Sequence, residues 1–139
     1  MLGDLRDTLH WFQEKHGFGR GISAVQIGVP VRAIYIEFEG RAYNLVNPEF
    51  LGKSAELFSL WDDCFSFPHL VVRLERSVQV RLRYQDETGA AHELAAEGSF
   101  SELLQHEMDH LDGILIIDRA LDRDSFMTRE ELLRQGGTL

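Results

Sequence analysis

Ser99-Phe100-Ser101-Glu102-Leu103-Leu104-Gln105-His106-Glu107-Met108-Asp109-His110-Leu111 reads as one helix, and the remainder of the chain is interpretable around it. Leu104, Met108 and Leu111 recur at helical spacing on one side, while Ser99, Glu102, Leu103, His106 and His110 follow the other. Gly98 and Ser99 open the segment, Glu102 stands three residues after Ser99 as a capping-box pattern, and Gly113 closes it. On such a helix His106 and His110 project from one face and can hold a metal ion, with Glu107 beside a water on that ion. The plainer reading is a buried helix whose histidines satisfy backbone carbonyls while Glu107 and Asp109 face water. Coverage of both sides, one by core and one by a site, argues against it.

Two histidines are too few for a catalytic metal, which usually takes three protein ligands and keeps one position open. After His110 no histidine remains, and the acidic candidates are Asp112, Asp118 and the carboxylates of the tail. Upstream, Cys64 is the only cysteine, in the stretch Trp61-Asp62-Asp63-Cys64-Phe65-Ser66-Phe67-Pro68. A lone cysteine is most often a small buried hydrophobe; as a thiolate it would complete a Cys-His-His set.

Three separated motifs give the chain a resemblance to the peptide deformylases. The family's Gly-x-Gly-x-Ala-Ala-x-Gln-x-Gly is matched by Gly19-Arg20-Gly21-Ile22-Ser23-Ala24-Val25-Gln26-Ile27-Gly28. Its Glu-Gly-Cys-Leu-Ser is matched by Asp62-Asp63-Cys64-Phe65-Ser66, and its Gln-His-Glu-x-Asp-His by Gln105 to His110. The resemblance runs from about Gly19 to Asp118.

That resemblance implies one divalent metal ion held by Cys64, His106 and His110, iron(II) foremost and zinc or nickel otherwise. It implies a metal-bound water whose proton Glu107 takes during attack on a formyl carbon and returns to the leaving amine. The Gln26 amide and the Phe65 backbone N–H stand where the family stabilises the developing oxyanion. An extended N-formylated peptide would lie along Gly19 and Gly21 as an added strand. Asp62 and Arg76, the latter twelve positions after the cysteine, match a pair that steadies the metal-ligand loop. Without the resemblance, Arg76 reads as a solvated charge on a strand that also carries Arg73, Arg81 and Arg83.

The sequence departs from the family at Asp63, Ser23 and Arg20. In relatives that accept formyl-methionine the side-chain pocket is largely apolar. Here the corresponding positions include Arg20, Leu60, Ser99, Glu102 and Leu103, of which Leu60 and Leu103 suit a thioether while Arg20 and Glu102 do not. Removal of an N-formyl group from formyl-methionyl peptides is therefore the first reading. A more polar formylated peptide or small molecule is the alternative, as is a non-catalytic metal-binding module. A structural site would need a fourth ligand and no adjacent base. A metallopeptidase fits the cysteine and the first motif poorly.

At 139 residues and 44% hydrophobic, the chain is expected to form one domain over residues 1–139. A single cysteine suits a reducing compartment, and Met1 to Gly17 reads as a charged amphipathic helix using Leu5, Leu9 and Phe12 rather than a signal peptide or membrane span. A soluble cytoplasmic protein is expected. The formal charge of −9 argues against nucleic-acid binding, which rests on phosphate neutralisation. The mixed charges after Ile117 argue against the basic-helix ribosome docking of some deformylases. The resemblance implies a longer segment before the first motif, so the chain is expected to be a natural short form or a truncated one, its N-terminal edge either exposed or covered by a partner, with a homo-oligomer among the alternatives.

Val25 to Phe38 reads as extended chain, which removes the strand-loop-helix setting a nucleotide loop at Gly19-Arg20-Gly21 would need. Val31–Phe38 with Ala42–Val46, and Val78–Tyr84 with Ala91–Ala95, carry hairpin signals, and Thr128 caps a short last helix. Antiparallel strands around a central metal-bearing helix make an α+β fold, the kind the family has.

Overall fold

The computed structural model describes every residue except Thr138. In chain order it has α1 (Leu2–His16), β1 (Gly21–Ser23), β2 (Ala33–Phe38), β3 (Arg41–Lys53), β4 (Leu57–Cys64), β5 (Phe67–Ser77), β6 (Gln79–Gln85), β7 (Ala91–Glu97), α2 (Ser99–Leu111), β8 (Phe126–Thr128) and α3 (Arg129–Arg134). Short 3₁₀ turns cover Ala24–Ile27 and Ile116–Arg119.

The strands form two antiparallel sheets, one ordered β1-β2-β3-β6-β7 and the other β4-β5-β8. Local chemistry sets the hairpins. Between β2 and β3 the loop is Glu39-Gly40, with φ of 50° and 76°, and a two-residue loop with both angles positive matches the right-handed twist of its strands. Between β6 and β7 the Asp86 carboxylate accepts from the Thr88 N–H at 2.8 Å and the Ala90 N–H at 3.1 Å, fixing the turn before the chain returns.

Helix α2 lies at the centre, with every residue from Ser101 to His110 buried. Leu103, Leu104 and Met108 pack on Ile34, Ile36, Leu45, Val80 and Leu82 of the larger sheet. Each such side chain contributes about 1.5–3 kcal/mol on full burial, so this contact holds the helix that carries the histidines. Helix α1 seats Leu5 and Leu9 against Ile22, Ala33 and Tyr35, bracing β1 from outside. Cys64 packs with Val72, Leu74 and Ile116 in a third cluster.

Three expectations need correction. The extended run from Val25 is broken by the 3₁₀ turn, because the Gln26 side chain accepts from the Ser23 N–H at 2.9 Å and curls the chain there. No capping box opens α2: Gly98 is the capping residue, with φ of 61°, and Glu102 is turned toward Arg20 instead. Arg73 and Arg76 lie on β5, whereas Arg81 and Arg83 lie on β6.

Candidate metal centre

One turn of α2 separates His106 from His110, so their rings meet edge to face with centroids 4.7 Å apart and Nε2 atoms 3.0 Å apart. Cys64 reaches them from the end of β4, where a register shift between Asp63 and Cys64 turns the strand into the Phe65-Ser66 corner. Its Sγ lies 3.3 Å from His110 Nε2, and the three ligand atoms are buried within 4.8 Å of one another.

This donor set fits a metal ion. Asp62 Oδ2 lies 2.9 Å from His106 Nδ1, and against the effect of burial its charge and hydrogen bond hold that imidazole well above its usual range; a cation bound on the inner side would displace the Nε2 proton while Nδ1 keeps its own. Burial, then the charge of His106, hold His110 down to about 4, so its ring is neutral at ordinary pH. Two imidazole nitrogens and a cysteine sulfur converging in a buried space suit a cation.

Asp62 is itself fixed. Burial alone would raise its pKa, but the charges and hydrogen bonds of His106 and Arg76 hold it down to about 2. Arg76 is 4% exposed and lies between Asp62, at 3.3 Å, and Asp109, so it is no solvated surface charge. Asp109 is buried too, rather than facing water, and Arg119 grips it at 2.9 and 3.1 Å. A chain of alternating charges thus runs from Arg119 to the outer nitrogen of His106.

Glu107 points to the opposite side, toward β1. It is 2% exposed, and the Ser23 Oγ lies 3.0 Å from both its Oε1 and its carbonyl oxygen. Burial raises its pKa against the pull of His106 and of the Ser23 hydrogen bond. A Cβ on Gly21 would stand 3.0 Å from Glu107 Oε2, so only glycine lets the carboxylate lie this close to the strand. Gln26 Nε2 donates to Ser66 Oγ at 3.0 Å and is 3.6 Å from Cys64 Sγ, placing its amide beside the donor set.

A cavity of about 600 Å³ opens onto Cys64, His106 and Glu107. Of the residues expected to bind substrate, Gly19, Arg20, Gly21 and Asp63 line it from the β1 and β4 sides, and Leu60, Ser99, Glu102 and Leu103 complete it. Phe65 also lines it, braced by the Phe12 ring at 4.6 Å, whereas Arg76 and Gln26 are not among its lining residues.

Sequence reading passed over Ser23 as a holder of Glu107, Phe58 in the cavity wall, and Arg129. The Arg129 guanidinium donates to Asp63 Oδ2 at 2.7 Å and to the Pro68 carbonyl at 3.0 Å, and lies 3.6 Å over the Phe18 ring. A cation in the first turn of a helix opposes the helix dipole, which was the one signal that Arg129 has work elsewhere.

Two antiparallel sheets around a buried helix, with a sulfur and two ring nitrogens converging beside a carboxylate, define a class of chain able to hold one metal ion next to a buried acidic group. The family model described as polypeptide deformylase matches residues 1–126. The chain is 41% identical over 109 residues to the peptide deformylase of Wolinella succinogenes, covering 73% of this chain and 64% of that one. It is 38% identical over 118 residues to that of Afipia carboxidovorans, covering 80% and 69%. Among solved structures it resembles the Synechococcus elongatus peptide deformylase in complex with actinonin, with a TM-score of 0.78 at 31% identity over 98% of this chain and 75% of that one. The Thermotoga maritima peptide deformylase gives 0.76 at 34% identity over 86% and 83%. The chain belongs to the peptide deformylase family, and spans 64% and 69% of the length of the two curated relatives named.

Among the described residues no helix is long and apolar enough to cross a membrane.

Proposed function

We propose that this chain hydrolyses the N-formyl group of formylated peptides, releasing formate and a free amine. The observation that carries the reading is the Glu107 carboxylate, buried at the cavity wall beside the converging Cys64, His106 and His110 donors. Cys64 Sγ and the two Nε2 atoms would hold a divalent cation, iron(II) by the family resemblance, and sulfur with imidazole also suits zinc and nickel. Bound there, the cation supplies Lewis acidity and brings the pKa of a water toward neutrality.

The remaining work falls to the chain's own side chains. Glu107 takes the proton from the attacking water and delivers it to the departing nitrogen; its raised pKa suits a group that must both accept and give. Ser23 fixes the carboxylate's orientation through its hydroxyl. The Gln26 amide, released from Ser66, and the Phe65 backbone N–H donate to the formyl oxygen as charge builds on it. The free edge of β1 at Gly21 takes the peptide as an added strand, which sets its register relative to Glu107.

A single free cysteine, buried among the donor atoms, suits a reducing, cytoplasmic setting. The test is formate release from a formyl-methionyl tripeptide by protein loaded anaerobically with iron(II). Catalytic turnover is expected, and formate at the uncatalysed rate from folded, metal-loaded protein would overturn the reading.

A further inference from the structure

The cavity beside Glu107 is apolar on one wall and charged on another. Phe58, Leu60 and Leu103 supply the apolar wall, and Arg20 and Glu102 supply the charged one. Arg20 Nη2 donates to Glu102 Oε1, and Nη1 makes only a long contact of 3.4 Å with the Ser99 carbonyl. The Glu102 side chain is 5% exposed and that of Arg20 is 40% exposed. Glu102 Oε2 is buried and has no hydrogen-bond partner among the described residues. A buried carboxylate oxygen left this way is costly, which marks it as a position awaiting a donor.

Apart from Glu107, which Ser23 holds beside the metal donors, the other carboxylates of the cavity are already matched. Asp62 faces Arg76 and His106, and Asp63 faces Arg129. What remains is one guanidinium with N–H groups to spare next to one carboxylate oxygen with free lone pairs, with no net charge between them. A thioether or alkyl chain would cover both without satisfying either. An ammonium would satisfy the oxygen but meet the guanidinium. A primary carboxamide offers an N–H to Glu102 Oε2 and a carbonyl to Arg20 at once.

The geometry points to a specificity: the formylated residue accepted here carries a carboxamide side chain, glutamine foremost, with Arg20 and Glu102 as its specificity-determining residues. This rests on the deformylase reading proposed above. Glutamine and methionine have side chains of similar length, so their comparison changes the chemistry of the chain end and little else.

The test compares formyl-Gln-Ala-Ser with formyl-Met-Ala-Ser on the iron(II)-loaded protein, by kcat/KM for formate release. Preference for the glutamine peptide by about tenfold or more is expected, since a site built to hydrogen-bond a substrate group discriminates strongly against the analogue lacking it. The exchange Arg20→Leu with Glu102→Leu is expected to reverse the order. If that variant fails to fold, Arg20→Met alone, at the more exposed position, should lose most of the preference.

Calorimetric Kd values for both peptides on Glu107→Gln give a readout independent of turnover, with the same order expected. Formate released equally well or better from the methionine peptide by the wild-type chain would overturn the specificity and leave the deformylase reading standing. Tighter binding of the glutamine peptide with formate from neither would support the pocket chemistry and contradict the reaction. Absence of both preference and turnover would overturn both.

Discussion

Asp62 Oδ2 and His106 Nδ1 lie 2.9 Å apart, and that contact decides which nitrogen of His106 faces Cys64 and His110. Because Arg76 donates to the same oxygen at 3.3 Å, the carboxylate cannot swing away without leaving a buried guanidinium short of a partner. Asp62→Asn keeps the shape and removes the charge. Its metal affinity is expected to fall about 10–100-fold, the usual range for outer partners of a ligating histidine. Competition with a chromophoric chelator measures this, and an unchanged affinity would contradict the assignment.

Gly21→Ala probes the opposite side of α2. The added Cβ would meet Glu107 Oε2 at 3.0 Å and Cγ at 3.1 Å, so the carboxylate must shift by a few tenths of an ångström. Gly21 has no positive φ, so alanine suits the backbone. The expected result is kcat lowered by roughly tenfold to a hundredfold, the scale of loss when a reacting group is misplaced by up to an ångström. Thermal unfolding should move by only a few degrees. Full activity would show that Glu107 works from another position.

Leu104→Ala addresses what holds α2. Leu104 is fully buried against the larger sheet, and truncation there is expected to cost about 2–5 kcal/mol by loss of burial and creation of a cavity. Chemical denaturation measures it. A cost below about 1 kcal/mol would mean that the sheet collapses readily around the helix.

A cluster between α1 and β2 sets part of the pH dependence of stability. Burial would raise the Glu37 carboxyl, but hydrogen bonds from His10, Tyr35 and Gln13 prevail and lower it. Burial, then Glu37, push the Tyr35 hydroxyl from 10.0 up to about 12. A lowered acid stabilises the fold above its unfolded value and loses that contribution as pH falls through the folded value. A raised phenol stabilises it below its unfolded value and loses that contribution as pH climbs from 10.0 toward about 12. Urea midpoints against pH should therefore decline at both ends, with Glu37→Gln flattening the acid decline and Tyr35→Phe the alkaline one. Unaltered slopes in both variants would contradict the assignment.

What was legible in the sequence was what short-range pattern encodes. The stripe of Leu104, Met108 and Leu111 gave α2, and the turn residues at Glu39-Gly40 and Asp86 to Gly89 gave two hairpins. The paired fate of Asp62 and Arg76 was less accessible, because residue chemistry alone favours a solvated arginine on a strand. Its burial depends on Asp109 arriving from α2, 33 positions away. Arg129 was illegible for the same reason: Asp63, its partner, is 66 positions distant and meets it only once β8 docks on β5. The 3₁₀ turn at Ala24–Ile27 was missed because a side-chain bond from Gln26 to the backbone of Ser23 overrides the extended preference of Val25 and Ile27.

The most direct test of the central claim is formate release by wild-type protein and by Glu107→Gln, both loaded anaerobically with iron(II) to equal metal content. The account predicts turnover of a formylated tripeptide by the wild-type chain, and loss of about a hundredfold or more in Glu107→Gln with the metal retained. Equal rates in the two proteins would contradict the role of Glu107, and formate at the uncatalysed rate from both would contradict the hydrolysis itself.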